Sequence, residues 1–251
     1  MTKVSDVMNP VVVSISPHSE MKELLDVLSR EKSGRVVVMD QGKPVAMVTT
    51  RSVVLAYAEH GRELSRLKVK DLMSEDLVKV RLDDELQAVL RLMLNKEIGG
   101  VPVMDGDVLV GIFTERELIK FMAKQTYSGL VDSVMSTDLK VIDEHEDTLE
   151  ASKMMQRYKV RRLPVVSNGR LVGIITAADI VKSLARTLDP KPVLEAGTRN
   201  PITVGRYETL MRIVRIMEER RIGTIPVVEN EIVGIVTERD LLYATVTSGI
   251  S

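Results

Sequence analysis

Two hydrophobic periods alternate along the chain. Leu163–Val166 and Leu171–Ile175 are short aliphatic, β-branched runs on either side of Ser167-Asn168-Gly169-Arg170. An Asn-Gly pair readily takes the positive φ angles of a tight turn, so the two runs are predicted to form a hairpin. After Thr176 the pattern lengthens: Ala177-Ala178-Asp179-Ile180-Val181 combines good helix formers with apolar residues at helical spacing. A strand therefore hands over to a helix at Thr176. Helix N-termini carry free N–H groups and the positive end of a dipole, which suits this junction to holding an anion.

The same succession recurs along the chain. Met21, Leu24, Leu25 and Leu28 follow the i, i+3, i+4, i+7 spacing of one helix face, as do Leu86, Val89, Leu90 and Met93, and Leu210, Ile213, Val214 and Met217. Ala151, Met154, Met155 and Tyr158 take these places in the remaining copy. Each stripe should bury one face, its methionines serving as core filler. Asp6-Val7-Met8, Asp71-Leu72-Met73 and Asp132-Ser133-Val134-Met135 open three copies, and Glu195-Ala196-Gly197-Thr198 is a degenerate fourth. Pro102, Pro164 and Pro226 are spaced 62 residues apart, with Val37 in the equivalent place of the first copy. Each copy then runs through Val-Gly-Ile-Thr or a near variant, ending at Thr49, Thr114, Thr176 and Thr237. Fixed-period self-similarity marks a repeat architecture. Each copy reads strand, helix, strand, strand, helix.

A repeat of about sixty residues is small for independent stability, so the copies should pair. The expected division is 1–124 and 125–251, with repeats at about 1–62, 63–124, 125–187 and 188–251. The polar Lys124–Gly129 segment forms the expected joint, and polar stretches near His60–Ser65 and Thr187–Pro192 connect partners within each pair.

Composition narrows the function. With 35 basic and 36 acidic residues the charges nearly cancel, which disfavours tight nucleic-acid or membrane binding. Aromatics at 3% leave few platforms for stacking bases. No segment reads as a membrane span or signal peptide, so a cytoplasmic location is expected. The chain has no cysteine, hence no thiolate chemistry. His18, His60 and His145 lack metal-ligand spacing, and no phosphate-binding glycine motif of a nucleotide hydrolase is present. Asp143–Asp147 is read as a solvated helix start.

The order Asp-x-Met, helix, Leu-Pro-Val-Val, Asn-Gly, Leu-Val-Gly-Ile-Ile-Thr-x-x-Asp resembles the CBS domain, named after cystathionine β-synthase, and the resemblance spans all four copies. It implies an α/β (α+β) fold of four β-α-β-β-α repeats in two pseudo-twofold pairs, each pair with up to two clefts that often hold adenine nucleotides. The motif it carries over is Ser/Thr-x-x-Asp after the last strand: Thr176 with Asp179 and Thr237 with Asp240. A carboxylate can accept both hydroxyls of a ribose while the threonine and the helix N-terminus face phosphate. The competing reading is the capping box, in which both side chains only satisfy backbone N–H groups. Thr114 with Glu117 and Thr49 with Ser52 are the variant copies, and Glu117 suits the cap.

Further residues are assigned to the clefts by the same resemblance. Arg35, Gly100, Arg162 and Thr224 stand two residues before the recurrent proline position. Arg162 is the candidate phosphate clamp of the second pair, and Arg35 its weaker equivalent in the first. Ile202, Thr203, Ile225 and Pro226 would line an adenine slot in repeat 4, and Lys140, Val141, Leu163 and Pro164 one in repeat 3, although each is also an ordinary strand or core residue. Arg239 and Arg116 either reach phosphate or pair with Glu238 and Glu115 nearby.

The expectation is a non-catalytic regulator, with no catalytic residue, metal or required cofactor. It would bind AMP foremost, or ADP, ATP or S-adenosylmethionine, and transmit occupancy to an unidentified protein. One chain would close into a four-repeat disc, or two chains would associate. The alternatives are a ligand-free interaction scaffold and a nucleic-acid-associated regulator using pairs such as Arg161-Arg162 and Arg220-Arg221.

Overall fold

A computed structural model of the chain describes residues 1–74 and 76–248. Repeat 1 comprises β1 (Ser14–Ile15), α1 (Met21–Arg30), β2 (Arg35–Asp40), β3 (Lys43–Thr49) and α2 (Thr50–His60). A single helical turn, α3 (Val69–Leu72), opens repeat 2. It is followed by β4 (Val80–Arg81), α4 (Leu86–Lys96), β5 (Gly100–Asp105), β6 (Val108–Thr114) and α5 (Glu115–Met122). Repeat 3 comprises β7 (Ile142–Asp143), α6 (Thr148–Tyr158), β8 (Arg162–Ser167), β9 (Arg170–Thr176) and α7 (Ala177–Leu184). Repeat 4 contains α8 (Val193–Ala196), β10 (Thr198–Arg199), α9 (Leu210–Arg220), β11 (Thr224–Val228), β12 (Ile232–Thr237) and α10 (Glu238–Ser248). The β-α-β-β-α order holds in the first three repeats.

Repeat 4 departs from it. Its expected first strand is reduced to one parallel bridge, Val204 to Val227. β10 instead pairs antiparallel with β9 of repeat 3, Thr198 opposite Ile174. In the other repeats the first strand lies parallel to the second, as with Ile142 opposite Val165. The Asn-Gly turn forms as expected: Asn168 has φ 50° and Gly169 φ 80°, the two positive angles that match the strand twist.

The chain forms two compact units. One contains residues 1–12, 78–139 and 202–251; the other contains 13–77 and 140–201. In the first, α10 packs on α4 and α5, and α5 on α9; in the second, α2 packs on α6 and α7, and α1 on α7. Repeats 2 and 4 thus share one hydrophobic core, and repeats 1 and 3 the other. The units cut across the consecutive division expected at residue 124, because amphipathic helices bury their stripes against the repeat two places away.

The opening segments follow another rule: each lies in the compact unit of its consecutive neighbour. Asn9 of repeat 1 exchanges backbone hydrogen bonds with Ile112 of repeat 2 (2.8 and 2.9 Å), and Ser136 of repeat 3 does the same with Ile235 of repeat 4 (2.8 and 2.9 Å). This explains the Val-Gly-Ile glycine. A Cβ on Gly111 would stand 2.5 Å from the Met8 sulfur, and one on Gly234 2.7 Å from that of Met135. The aspartate of Asp-x-Met caps its own turn: the Lys3 and Lys68 amides donate to Asp6 and Asp71 at 2.9 and 2.8 Å. No helix among the described residues is long and apolar enough to cross a membrane.

Candidate functional site

At all four strand-to-helix junctions the reciprocal cap forms. Thr176 Oγ1 accepts from the Asp179 amide at 3.2 Å, and Asp179 Oδ2 accepts from the Thr176 amide at 3.0 Å. Thr49 with Ser52, Thr114 with Glu117, and Thr237 with Asp240 repeat the exchange. The carboxylates are therefore cap residues first. Any ligand role must use acceptor capacity the cap leaves over.

That remainder differs between repeats 3 and 4. Among the described residues, Asp179 Oδ1 takes no hydrogen bond, whereas Asp240 Oδ1 accepts from the Ser136 hydroxyl at 2.9 Å. Asp240 Oδ2 accepts from both the amide and the hydroxyl of Thr237, at 2.9 and 3.0 Å. Burial pushes the Asp179 carboxyl above the usual carboxylate range, outweighing the Thr176 hydrogen bonds and the attraction of Lys182. Its charge is under-solvated, so hydroxyl or N–H donors from a ligand would relieve it. Glu117 is likewise raised by burial, although Thr114 donates to it through both amide and hydroxyl.

Strand register brings the second set of candidates beside the caps. Arg162 stands opposite Thr176, Arg35 opposite Thr49, Gly100 opposite Thr114 and Thr224 opposite Thr237. The offset of two residues before the proline is thus the register of the hairpin. Arg35 also donates to the Ser33 carbonyl at 2.8 Å.

Other assigned residues have different employment. Leu163 and Ile225 are fully buried in the two hydrophobic cores, so they face packed side chains instead of an adenine slot. Their neighbours Pro164 and Pro226, also buried, occupy the opposite face of the strand. Val141, Ile202 and Thr203 lie at the surface. The Lys140 ammonium sits 5.1 Å from the Tyr158 ring centre.

The arginines beside the caps pair crosswise. Arg239 donates through Nε and Nη2 to the two oxygens of Glu115, at 3.1 and 3.3 Å, and Arg116 lies 3.8 Å from Glu238. The Glu115 side chain is only 5% exposed. Of the two roles open to these arginines, pairing is the one formed. Their partners are not adjacent in sequence but belong to the repeat two places away. Ser136 was missed for the same reason, since nothing local ties it to a residue 104 positions later.

Beside Asp179 a cavity of about 250 Å³ opens, bordered by Lys182, Ser183 and Arg186 on or just past α7 and by Thr187 and Lys191 in the following loop. No such feature was assigned from sequence; the signal was present in the three-and-four spacing of Asp179, Lys182, Ser183 and Arg186.

A sequence profile of the CBS domain matches residues 4–59, 69–124, 131–186 and 193–246. An uncharacterized protein of Methanocaldococcus jannaschii is 29% identical over 266 residues, which covers 93% of this chain and 95% of that one. The crystal structure of that protein, described as a proposed archaeal homologue of γ-AMPK, superimposes with a TM-score of 0.85 at 27% identity, covering 96% of this chain and 99% of its own. A conserved uncharacterized protein of Pyrococcus horikoshii shares the fold, with a TM-score of 0.67 at 22% identity over 97% of this chain and 99% of its own. An inosine-5′-monophosphate dehydrogenase of Korarchaeum cryptofilum is 32% identical over 155 residues, or 60% of this chain, and the match spans 32% of the enzyme.

Proposed function

The chain belongs to the CBS domain family, carrying four copies in series, and on that premise we propose that it is a non-catalytic regulatory protein whose repeat 3 binds an adenine nucleotide. The observation that carries this is the Asp179 carboxylate: one oxygen closes the cap, the other takes no hydrogen bond among the described residues, burial raises the carboxyl above its ordinary range, and the residue borders a cavity. A ribose diol supplies two hydroxyl donors, and charge-assisted bonds of this kind contribute about 1.5–3 kcal/mol each. AMP is the preferred ligand, with ADP, ATP and S-adenosylmethionine as competitors. The proposed kinship of the M. jannaschii relative to γ-AMPK supports an adenylate.

Thr176 and the α7 N-terminus face the phosphate side, and Arg162 opposite Thr176 is its proposed clamp. Consecutive repeats, 1–124 and 125–251, are the proposed regulatory pairs, linked by their exchanged opening segments. Occupancy alters the activity of a partner protein.

A scaffold reading is favoured for repeats 2 and 4, where Asp240 is satisfied through both oxygens and the neighbouring arginines are held by glutamates. Calorimetric titration of the whole chain with AMP, ADP, ATP and S-adenosylmethionine separates the two readings. A sensor binds at least one of them saturably at sub-millimolar concentration, with changed amide exchange around α7. A scaffold shows neither.

A further inference from the structure

The cavity beside Asp179 has a chemistry that a ribose does not use. Asp179, Lys182, Ser183 and Arg186 recur at helical spacing and so share one side of α7 and its C-terminal extension. Lys191 approaches from the loop before α8, held by reciprocal hydrogen bonds with Thr148: its amide donates to the hydroxyl at 3.0 Å, and its carbonyl accepts from the Thr148 amide at 2.8 Å. The amides of Arg186 and Thr187 both donate to the Ser183 carbonyl at 3.0 Å, which fixes the rim. Three cations and two hydroxyls thus converge on about 250 Å³ from a backbone that is tied down.

None of the three cations is closed off by a salt bridge among the described residues. Against them stand two carboxylates, Asp179, which is half engaged in its cap, and Glu195 on α8. The excess charge is positive. The volume is below the roughly 300–1,000 Å³ of pockets that enclose a whole drug-sized ligand, and suits one or two phosphate groups. A guanidinium can grip such a group with two parallel N–H bonds, and flexible lysines follow it as point charges.

We infer that this cavity is a diphosphate-type anion site, in which Lys182, Arg186 and Lys191 supply charge and Ser183 and Thr187 supply hydroxyl donors. It deepens the reading of Asp179, on which the ribose end alone rests. The single phosphate of AMP is directed to Thr176 and Arg162, which do not line this cavity. The anion here is therefore either free or the outer phosphates of a longer nucleotide chain whose ribose Asp179 holds.

Inorganic pyrophosphate is the first probe, titrated into the full chain by calorimetry or followed by phosphorus NMR. Saturable binding is expected that weakens about tenfold in Arg186→Ala and in Lys182→Ala, and declines steeply with added salt. Lys182 and Arg186 are exposed, so these variants keep the fold. Asp179→Ala should leave pyrophosphate binding equal or stronger while weakening AMP. ATP and adenosine distinguish the sources: an Arg186→Ala loss for ATP but not adenosine identifies a nucleotide's phosphates, and a loss for pyrophosphate alone identifies a free anion. Either supports the site. Pyrophosphate that fails to bind at millimolar concentration, or binds the wild type and Arg186→Ala alike, overturns it. The nucleotide reading survives that failure if Asp179→Ala still weakens AMP. Pyrophosphate binding lost in Arg186→Ala, with AMP indifferent to Asp179→Ala, does the reverse.

Discussion

In the compact unit built from repeats 2 and 4, the residues just past the cap threonines are Glu115-Arg116 and Glu238-Arg239; in the unit built from repeats 1 and 3 they are Thr50-Arg51 and Ala177-Ala178. The backbone junction is the same. In the first unit the charges pair crosswise, and Ser136 closes Asp240. In the second, Ala177 is buried in the core, Asp179 keeps an oxygen for other donors and the space beside it stays open. One scaffold thus offers either a latched junction, closed by Ser136 and flanked by crosswise charge pairs, or an open one. A cap motif marks where a ligand carboxylate can be. Contacts from another repeat, such as Ser136 on Asp240, determine whether the carboxylate is available.

The largest effect should come from breaking the latch. Arg239→Met leaves the buried Glu115 without its bidentate donor and should cost about 2–3 kcal/mol in chemical denaturation, the low end for a buried pair because Arg239 is 31% exposed. Ala178→Met, the matching change in the open junction, is at the surface and should stay within about 0.5 kcal/mol. Equal costs would end the distinction.

Glycine substitutions sharpen it next. Gly173→Ala would place a Cβ 2.9 Å from the Thr198 carbonyl oxygen and 2.6 Å from Leu194, while Gly234→Ala meets chiefly the flexible Met135 side chain. Both should destabilise by about 1–3 kcal/mol, Gly173→Ala the more, because backbone cannot move aside as a thioether can. The order is read from paired melting curves.

Smaller still is the pH effect. Burial raises the Asp179 carboxyl above its unfolded value, so the folded state binds its proton more tightly. That contribution to stability is full below the ordinary carboxylate range and is lost as pH rises through the raised pKa. Asp179→Asn should flatten this part of the stability profile, as Glu117→Gln should in the other unit, where burial acts in the same direction. AMP affinity should increase over the same rise in pH, since the ribose needs the ionised carboxylate; an affinity flat with pH argues against Asp179 as its acceptor.

The smallest expected change tests the latch from the ligand side. Ser136→Ala removes the donor to Asp240 Oδ1 and should shift stability by about 0.5–1.5 kcal/mol. Repeat 4 should gain affinity for AMP; a loss would mean Ser136 is part of the site and not its cover.

Much of this was legible in the chain itself. The four-fold recurrence, the Asn168-Gly169 turn and the strand-to-helix handover at Thr176 are local patterns, and local patterns specify local structure. The offset of Arg162 from Pro164 was legible without its meaning, which is the register that sets Arg162 against Thr176. What stayed hidden depends on contacts between repeats. The helix stripes indicate that a face is buried but not against which copy, so the grouping of repeats 1 with 3 and 2 with 4 had no signal. Leu163 and Ile225 carry no mark separating a core strand from a slot lining. The Arg239–Glu115 pair spans 124 residues, and two charged residues that far apart look like ordinary surface positions.

The most direct test is a side-by-side AMP titration of the wild type, Asp179→Ala and Asp240→Ala by calorimetry. In both variants the threonine still accepts the helix amide, so the fold is kept at a cost of about 1 kcal/mol. The expected result is an affinity loss of at least tenfold in Asp179→Ala and a smaller one in Asp240→Ala. Wild-type affinity and stoichiometry in Asp179→Ala would show that the carboxylate does nothing but cap its helix.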